Sequence, residues 1–430
     1  MGGGRLSAGL AAALGLALTY LGLLTGKTIL ALRACRRERL ESWGARPPGG
    51  PASSVAPSPS AGAGVTVAQA ILSGDARLGE VLEANVAELP GAQFLWLVDV
   101  DDAVAQAVCR DIARRWEAVG KARRIEILVL PPPPAGHNPK LHKLHLGRAA
   151  CSEPVLLVLD DDTRMPAATL ATLVAALDRA ALATSLPGYL DDGRWPSRLL
   201  AQFVDNNAAL TYLPLLAFLP PLTINGMAYA MRRGTLDAIG GFAPLLGYLT
   251  DDLAVAQRVL AAGGTIEQSA RPHWVETTVR DGGHYVQLMH RWFLFALLLM
   301  NKQPLRLRLV IGVLDAVPPL LLLALVVIPA IAALPALPAL PAIAAVAAVT
   351  AAVPAAPVLL VVAATLGLRA LILAGLQRAV YGRALHAPLT SVVSELLQPF
   401  HLLHAACRRR IVWRTRRYRV YSESRFTSLP

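Results

Sequence analysis

Three consecutive aspartates, Asp160-Asp161-Asp162, follow a run of five apolar residues at 155–159. A short run of leucine and valine is typical of a buried β-strand. The carboxylates then lie at the C-terminal end of that strand, the edge of an open α/β sheet where ligands bind. Carboxylates with Asp-x-Asp spacing can hold a divalent cation, and the cation can hold a diphosphate. The alternative is an acidic turn that caps the next helix.

Two further acidic pairs occupy comparable positions. Asp101 and Asp102 follow the predicted strand 94–98, where a carboxylate can accept a hydrogen bond from a uracil N–H; a solvated loop is the alternative. Asp251 and Asp252 precede a helical pattern at 253–260. A carboxylate at a helix start is usually a cap, but it can equally act as a general base.

A fourth motif, at 287–292, precedes a long apolar block and contains Arg291 and Trp292. The guanidinium fork matches phosphate oxygens, so Arg291 can stabilise a departing diphosphate. Arginine and tryptophan at this place are also typical membrane anchors. The order of the four motifs indicates transfer chemistry more strongly than any motif does alone.

The elements between these motifs predict a soluble α/β domain over about 65–285. Strands are expected at 65–72, 94–98, 125–130 and 155–159, and helices at 78–89 and 103–116. Alternation of strands and helices predicts a mostly parallel sheet.

Composition predicts a multi-pass membrane protein. Apolar residues make up 54% of the chain and charged residues only 16%. Residues 6–24 are uncharged and long enough to anchor the chain, and no charge occurs between Asp315 and Arg369. We expect spans at 309–333 and 342–366, separated by a proline-rich turn at 334–341. The more polar segment 389–406 is expected to lie in the membrane interface.

Charge indicates which surface the protein meets. The net charge is +12, and residues 408–419 contain seven arginines. Because apolar segments tether this run to a bilayer, we expect it to bind anionic headgroups and not nucleic acid. The four cysteines form no Cys-x-x-Cys pair, which is typical of a reducing compartment. With the positive-inside rule, this predicts a catalytic domain in the cytoplasm.

The chain resembles the processive-type family 2 glycosyltransferases, most closely their ceramide glucosyltransferase branch. That family has three separated aspartate motifs and then a (Gln/Arg)-x-x-Arg-Trp motif, framed by membrane segments. Asp102, Asp160 and Asp252 fall in the three aspartate motifs, and residues 287–292 match the fourth. Residues 413–419 resemble a C-terminal Trp-Arg-Thr-Gly-Arg-Tyr-Arg, which favours this branch over cellulose, chitin or hyaluronan synthases.

The resemblance implies a GT-A-like domain that moves one sugar, with inversion, from a UDP-sugar to a lipid hydroxyl. Glucose and ceramide are the sugar and acceptor it favours. It gives Asp252 the role of general base, with Arg291 and Trp292 as the other catalytic residues. It gives Asp160 and Asp162 the role of ligands for Mg²⁺ or Mn²⁺.

The nucleotide-sugar site follows from the same resemblance. Asp75 lies in a stretch similar to the family's Lys-Gly-Val-Asp-Pro, and Asp102 inherits contact with the nucleotide base. Lys140 belongs to an Asn-Pro-Lys sequence that the family places near the nucleotide, and Asp160 completes this set.

The chain departs from the family pattern at several points. Leu288 occupies the Gln/Arg position of the fourth motif, with Gln287 one place early, and Ala103 replaces a proline. The full Asp-x-Asp of the second motif is closer to the wider superfamily. A hopanoid or other lipid acceptor therefore stays open, as does a polysaccharide synthase-like transferase. A non-enzymatic membrane protein on a degenerate fold is a further alternative.

These observations predict six regions. They are an N-terminal anchor at 1–35, a flexible linker at 36–64, a catalytic domain at 65–285, an interfacial segment at 286–308, two transmembrane helices at 309–376, and an interfacial helix with a basic tail at 377–430.

Overall fold

The computed structural model describes residues 8–44, 58, 60–118, 125–333, 355–383, 385–413, 416–421 and 425–429. The predicted proline-rich turn at 334–341 lies outside the described residues, as do Arg414 and Thr415 of the C-terminal motif.

An eight-stranded sheet forms the centre of the catalytic domain. Its strand order is β3-β2-β1-β4-β7-β6-β8-β5. Six strands run in one direction, and β7 and β5 run against them. The predicted mostly parallel sheet is therefore confirmed. The strands are β1 Val65–Ile71, β2 Gln93–Asp99, β3 Ile125–Leu130, β4 Val155–Leu159, β5 Thr163–Arg164, β6 Leu182–Tyr189, β7 Ala228–Arg232 and β8 Ile266–Val275.

The helices of the catalytic domain cover both faces of this sheet. Strand β2 shows the reason, because its side chains alternate between two cores. Phe94 and Trp96 belong to one core and Leu95 and Leu97 to the other. The helices are α2 Leu78–Glu88, α3 Ala103–Ala118, α4 Pro139–Gly147, α5 Ala167–Ala176, α6 Trp195–Tyr212, α7 Arg233–Ala238, α8 Asp251–Ala261 and α9 Gly282–Asn301.

Apolar helices precede and follow this domain, as predicted. Three candidate spans cover Gly9–Leu40, Leu305–Val327 and Ala356–Tyr381. The helices are α1 Ala8–Gly44, α10 Leu305–Ile311, α11 Val317–Ala333, α12 Ala355–Tyr381 and α13 Pro388–Cys407, with a π-helical turn at Gly312–Ala316 between α10 and α11.

The third candidate span ends at Tyr381, later than the predicted end at residue 366, and it includes Arg369. This arginine is fully buried. Its guanidinium lies 2.7 Å from Glu395 of α13 and bonds the hydroxyls of Tyr20 and Ser391. A charge that is neutralised in this way does not end a span, so hydropathy alone ended the predicted helix too early.

The first helix ends at Gly44, nine residues past the predicted anchor at 1–35, and so takes in the start of the predicted linker. Lys27 does not flank the span in solvent; it is buried and lies 2.6 Å from Asp315 of the π-helical turn. Near the end of α1, Glu38 accepts hydrogen bonds from the Ser269 hydroxyl and the Ala270 amide of β8. The anchor is therefore bonded directly to the catalytic sheet.

Helix α13 has the reverse of an ordinary amphipathic pattern, because its polar side chains face inward. Ser391, Ser394 and Gln398 are buried, whereas Leu389 and Phe400 are 79% and 56% exposed. An apolar outer face of this kind suits contact with lipid, and the interfacial position of this helix stays a prediction.

The residues after α13 form a small antiparallel sheet and not a simple basic tail. Strands β9 Arg410–Trp413, β10 Arg416–Val420 and β11 Phe426–Leu429 pair in the order β11-β10-β9. Tyr418 is buried against Phe426, with 5.2 Å between ring centroids. Along β10, arginine alternates with apolar residues, which is a pattern typical of a strand. The high charge of this segment hid that pattern in the sequence analysis.

Candidate active site

The three aspartates after β4 have separate roles. Asp161 points into the sheet edge, where its Oδ2 accepts the Leu72 amide at 2.8 Å. Asp160 lies 2.7 Å from the Lys140 ammonium. Asp162 accepts the Thr277 hydroxyl at 2.6 Å. The middle carboxylate is structural, and the two outer carboxylates line the site, as Asp-x-Asp spacing requires.

Lys140 joins the second and third aspartate motifs. Its ammonium contacts Asp160 and Asp251, at 2.7 and 2.9 Å, and donates to the Gly226 carbonyl at 2.7 Å. Burial disfavours the charged form, but the two carboxylates raise the pKa of Lys140 well above its ordinary value. The lysine is therefore a fixed positive charge in the centre of the site.

The Asn-Pro-Lys sequence explains how Lys140 is held. Asn138 is the N-cap of α4, and its Oδ1 accepts the amides of Lys140 and Leu141. Pro139 fits the first helical turn because no amide is needed there. The Asn138 side chain also donates to the carbonyls of Tyr248 and Leu249. One asparagine thus ties α4 to the segment that leads into Asp251 and Asp252.

Asp252 lies in the first turn of α8, directly after Asp251, and its pKa differs from the ordinary value of an aspartate. Burial and the neighbouring charge of Asp251 raise the pKa of Asp252 to about 7, against the lowering effects of the Leu253 amide and Lys140. A Cβ at Gly226 would lie 3.0 Å from the Asp252 Cβ, so only glycine lets this segment pass so closely. The result is a carboxylate that can gain or lose a proton near neutral pH.

Arg291 and Trp292 reach the site from α9. Trp292 meets Tyr189 edge to face, with 5.8 Å between ring centroids, and stacks on Phe203 at 6.2 Å. Burial and the charge of Asp162 raise the pKa of Tyr189, and the charge of Arg291 opposes them. Asp162 and Arg291 therefore both lie near enough to the Tyr189 hydroxyl to influence its charge.

Asp75 and Asp102 lie at the same sheet edge but are held by backbone groups. Asp75 accepts the amide and hydroxyl of Thr278, next to the Thr277 that holds Asp162. Asp102 accepts the amides of Ser73 and Ala105. Burial raises its pKa, but these hydrogen bonds leave it below the ordinary value. Asp102 therefore stays ionised, as an acceptor for a base N–H must.

The structure explains the departure of the fourth motif from the family pattern, in which Leu288 stands at the Gln/Arg position. Leu288 is packed in a hydrophobic core with Tyr285 and Met289, so that position makes no polar contact. Gln287 lies on another face of α9 and lines a groove beside the C-terminal sheet. The shifted glutamine therefore does not replace the family's residue in the site.

Several site residues escaped the sequence analysis. Lys143, one helical turn after Lys140, is buried and lies 3.0 Å from Asp99; its i+3 spacing from Lys140 was the available clue. Asp251, which pairs with Lys140, resembled an ordinary helix cap. Tyr189 and Thr277 carry no motif, and only the fold brings them to the aspartates.

The donor set fits a divalent cation bound with a diphosphate. Lys140 engages Oδ1 of Asp160, and the Asp160 side chain is 29% exposed, so this carboxylate is not sealed from solvent. Among the described residues no group of three His, Cys, Asp or Glu side chains could hold a metal alone. A cation there would need oxygens from phosphate and water, as Mg²⁺ usually does.

The comparisons with known structures give weak similarity. A mannosyltransferase from Pyrobaculum calidifontis, in complex with GDP-Man and Mn²⁺, is 17% identical with a TM-score of 0.47, covering 93% of this chain and 97% of that one. Glucosyl-3-phosphoglycerate synthase from Mycobacterium tuberculosis, with Mn²⁺, UDP and phosphoglyceric acid, is 17% identical with a TM-score of 0.31, covering 55% and 79%. At these TM-scores we draw no functional argument from either structure.

The comparison of sequences is more decisive. No curated protein matches the chain. A family model described as glycosyl transferase family 21 matches residues 26–426, from within α1 to the last strand. This range contains all four motifs, the second half of α1 and the apolar helices that follow the fourth motif. The chain therefore belongs to glycosyl transferase family 21, a family of sugar transferases.

Proposed function

We propose that the protein transfers one glucose from UDP-glucose to the hydroxyl of ceramide at a membrane surface. The observation that carries the proposal is the half-buried Asp252, whose pKa is raised to about 7 by loss of solvent and by the charge of Asp251, close to Asp160 and Lys140. Family 21 is the ceramide glucosyltransferase family, which supports the sugar and the acceptor.

The reaction needs a base for the acceptor hydroxyl. Asp252, when ionised, takes the hydroxyl proton as the acceptor oxygen attacks the anomeric carbon. The bond from that carbon to the phosphate oxygen breaks on the opposite side, and UDP leaves with the electron pair. A single displacement of this kind inverts the anomeric centre.

The departing UDP gains negative charge, and cationic side chains must stabilise it. Arg291 can bond phosphate oxygens through its fork, and Lys140 supplies a fixed positive charge. Asp160 and Asp162 would hold Mg²⁺ or Mn²⁺, which when bound neutralises charge on the diphosphate. Asp102 and Asp75 would position the nucleotide.

The surroundings of the site suit a lipid acceptor. Helix α9, which carries Arg291 and Trp292, ends at Asn301, and the next candidate span begins at Leu305. Helix α13 packs against α9 and presents its exposed Leu389 and Phe400 outward. Trp292, beside Tyr189, would form a wall for the sugar or for the acceptor.

A direct test is release of UDP from UDP-glucose by the purified full chain, with ceramide, with another lipid, or with no lipid. We expect release that depends on ceramide. Asp252→Asn should reduce turnover by a factor of about 10² to 10⁴, the usual contribution of a general base, while UDP binding stays nearly intact. Asp111→Asn, an exposed aspartate of α3, is the matched control. Turnover of Asp252→Asn within about tenfold of wild type would reject its role.

The same assay separates the alternatives. If UDP release depends on a hopanoid or another lipid instead of ceramide, the acceptor is that lipid, and the proposal of sugar transfer to a lipid still holds. A long polymer would instead indicate a polysaccharide synthase. The three candidate spans of the described residues are few for a polymer channel, which favours transfer of a single sugar.

A further inference from the structure

A basic groove lies beside α9, on a different face of the helix from Trp292. Its volume is about 780 Å³, and it is bounded by the N-terminal half of α9, the end of α13 and the C-terminal sheet. Val286 and His290 line it from α9, and three arginines line it from the C-terminal segment. Positions 283, 286, 287 and 290 share one face of a helix, whereas Trp292 faces Tyr189 and Phe203.

The charge of this groove is one-sided. Arg408, Arg410 and Arg417 line it and are exposed, and none of the described carboxylates lines it. Among the described residues, none of the three forms an ion pair with an acidic side chain, in contrast to Arg369 or Arg148. Three uncompensated guanidinium groups around one groove create a strong attraction for a phosphate.

Two histidines give the groove a fixed wall. The rings of His290 and His404 lie 4.4 Å apart between centroids, and His290 Nε2 bonds the Arg410 carbonyl at 3.0 Å. This bond ties α9 to β9. His290 is 5% exposed, and its Nδ1 has no hydrogen-bond partner among the described residues. A bound anion would favour protonation of this ring, which would then donate from Nδ1.

The groove also adjoins a surface that suits lipid. Leu389, Val393, Phe400 and Leu403 are exposed on one stripe of α13. His404, the next residue, and Arg408, one turn later, bring this apolar stripe to the rim of the groove. An apolar face that leads to a cluster of arginines matches the two parts of an amphiphile, acyl chains and a charged headgroup.

We propose that this groove binds the phosphate headgroup of an anionic membrane phospholipid. The site is separate from the substrates of the proposed transfer reaction, and the inference does not depend on that reaction. It places the C-terminal sheet against the bilayer and so fixes α9, which carries Arg291 and Trp292, at the headgroup level.

The test uses the full chain in neutral detergent micelles, titrated with phosphatidylglycerol or with phosphatidylcholine of the same acyl chains. Bound lipid is counted by native mass spectrometry. We expect clear preference for phosphatidylglycerol, and we expect Arg410→Gln with Arg417→Gln to weaken its binding by roughly 30-fold. The matched control is Arg114→Gln with Arg179→Gln, which removes two exposed arginines of the catalytic domain.

Three results would overturn the proposal. They are equal binding of the two lipids, unchanged binding by the groove variant, and full displacement of phosphatidylglycerol by inorganic phosphate, which would indicate a site for free phosphate. If the groove variant does not fold, the salt dependence of lipid binding by wild-type protein still tests the proposal. Rising ionic strength must weaken phosphatidylglycerol binding and leave phosphatidylcholine binding unaffected; equal sensitivity contradicts the headgroup site.

Discussion

At the residue scale, Lys140 and the two carboxylates that contact it convert separate sequence motifs into one site. Asp160 comes from the end of β4 and Asp251 from the start of α8, and both lie within 2.9 Å of the lysine ammonium. Asp252 lies beside this group and has a raised pKa because it is buried next to Asp251. The acidity of the proposed base therefore depends on its neighbours.

This dependence predicts a pH profile. Because the base must be ionised, kcat/KM of wild-type protein should rise with pH through about 7. Asp251→Asn removes the charge that raises the pKa of Asp252, so the rising limb should move to lower pH. Asp178→Asn, an exposed aspartate paired with Arg232, should leave the limb in place. A limb that Asp251→Asn leaves unmoved, or moves to higher pH, would contradict this account of Asp252.

The outer pair of the Asp-x-Asp motif predicts a response to metal. We expect transfer activity to require Mg²⁺ or Mn²⁺ and Asp162→Ala to lose this response, because hard carboxylate oxygens favour such cations. The measurement is activity against cation concentration after treatment with EDTA. Asp237→Ala, an exposed aspartate that pairs with Arg148, is the control. Full wild-type activity in excess EDTA would remove the metal from the mechanism.

The sequence offered candidate site residues, and the contacts between them come from the fold. Asp-x-Asp spacing selected Asp160 and Asp162 as metal ligands, and that assignment stays a prediction; in the structure Asp161 accepts the Leu72 amide, Asp160 contacts Lys140 and Asp162 accepts the Thr277 hydroxyl. The partners of Lys140 were beyond prediction, because α4 and α8 are more than a hundred residues apart in the chain. Tyr189 was missed for the same reason, since only the position of β6 in the sheet brings it to Trp292.

At the element scale, a buried polar cluster holds the membrane helices together. Arg369 of α12 contacts Glu395 and Ser391 of α13 and Tyr20 of α1. Asn206 of α6 also donates to the Ser391 hydroxyl at 2.9 Å, which connects the cluster to the catalytic domain. Three apolar helices are thereby fixed relative to the sheet.

This cluster predicts a large loss of stability when one partner is removed. Glu395→Gln leaves the fully buried Arg369 without its counter-charge, which typically costs about 3–5 kcal/mol in a protein interior. Glu83→Gln, in an exposed pair with Arg115, should cost about 1 kcal/mol or less. The measurement is the thermal unfolding midpoint of the full chain in detergent. Equal midpoints for the two variants would show that the buried pair contributes no more to stability than the exposed pair does.

Predictability differed between soluble and membrane elements. Strands β1 to β4 were predicted to within one or two residues, because continuous apolar runs and period-two burial are local properties. The span that contains Arg369 ends later than predicted, because hydropathy treats a charge as a boundary. Glu395 neutralises the charge of Arg369 through a tertiary contact, and no local pattern in the sequence predicts such a contact.

At the scale of the whole molecule, the order of the candidate spans predicts a topology. Within the part of the chain that the structure describes, one candidate span precedes the catalytic domain and two follow it, and α13 presents an apolar face suited to the interface. The catalytic domain and the C-terminal arginines should therefore lie on the same side. We propose the cytoplasmic side, where UDP-sugars are made.

The test is labelling of single cysteines in intact cells. Cys407 is exposed and the other three cysteines are buried, so Cys407→Ser gives a suitable background. Ser53→Cys in the predicted linker and Ser422→Cys after Arg419 should react with an impermeant reagent only after the cells are permeabilised. Reaction of either position in intact cells would overturn the topology.

The central claim is transfer of one sugar to a membrane lipid, and mass spectrometry of lipids tests it most directly. Lipids are extracted from cells that produce wild-type protein, the Asp252→Asn variant or neither, with protein amounts matched. We predict ceramide carrying one hexose, identified as glucose, only with wild-type protein. Identical lipid profiles in all three samples, although wild-type protein is present and folded in the membrane, would contradict the claim.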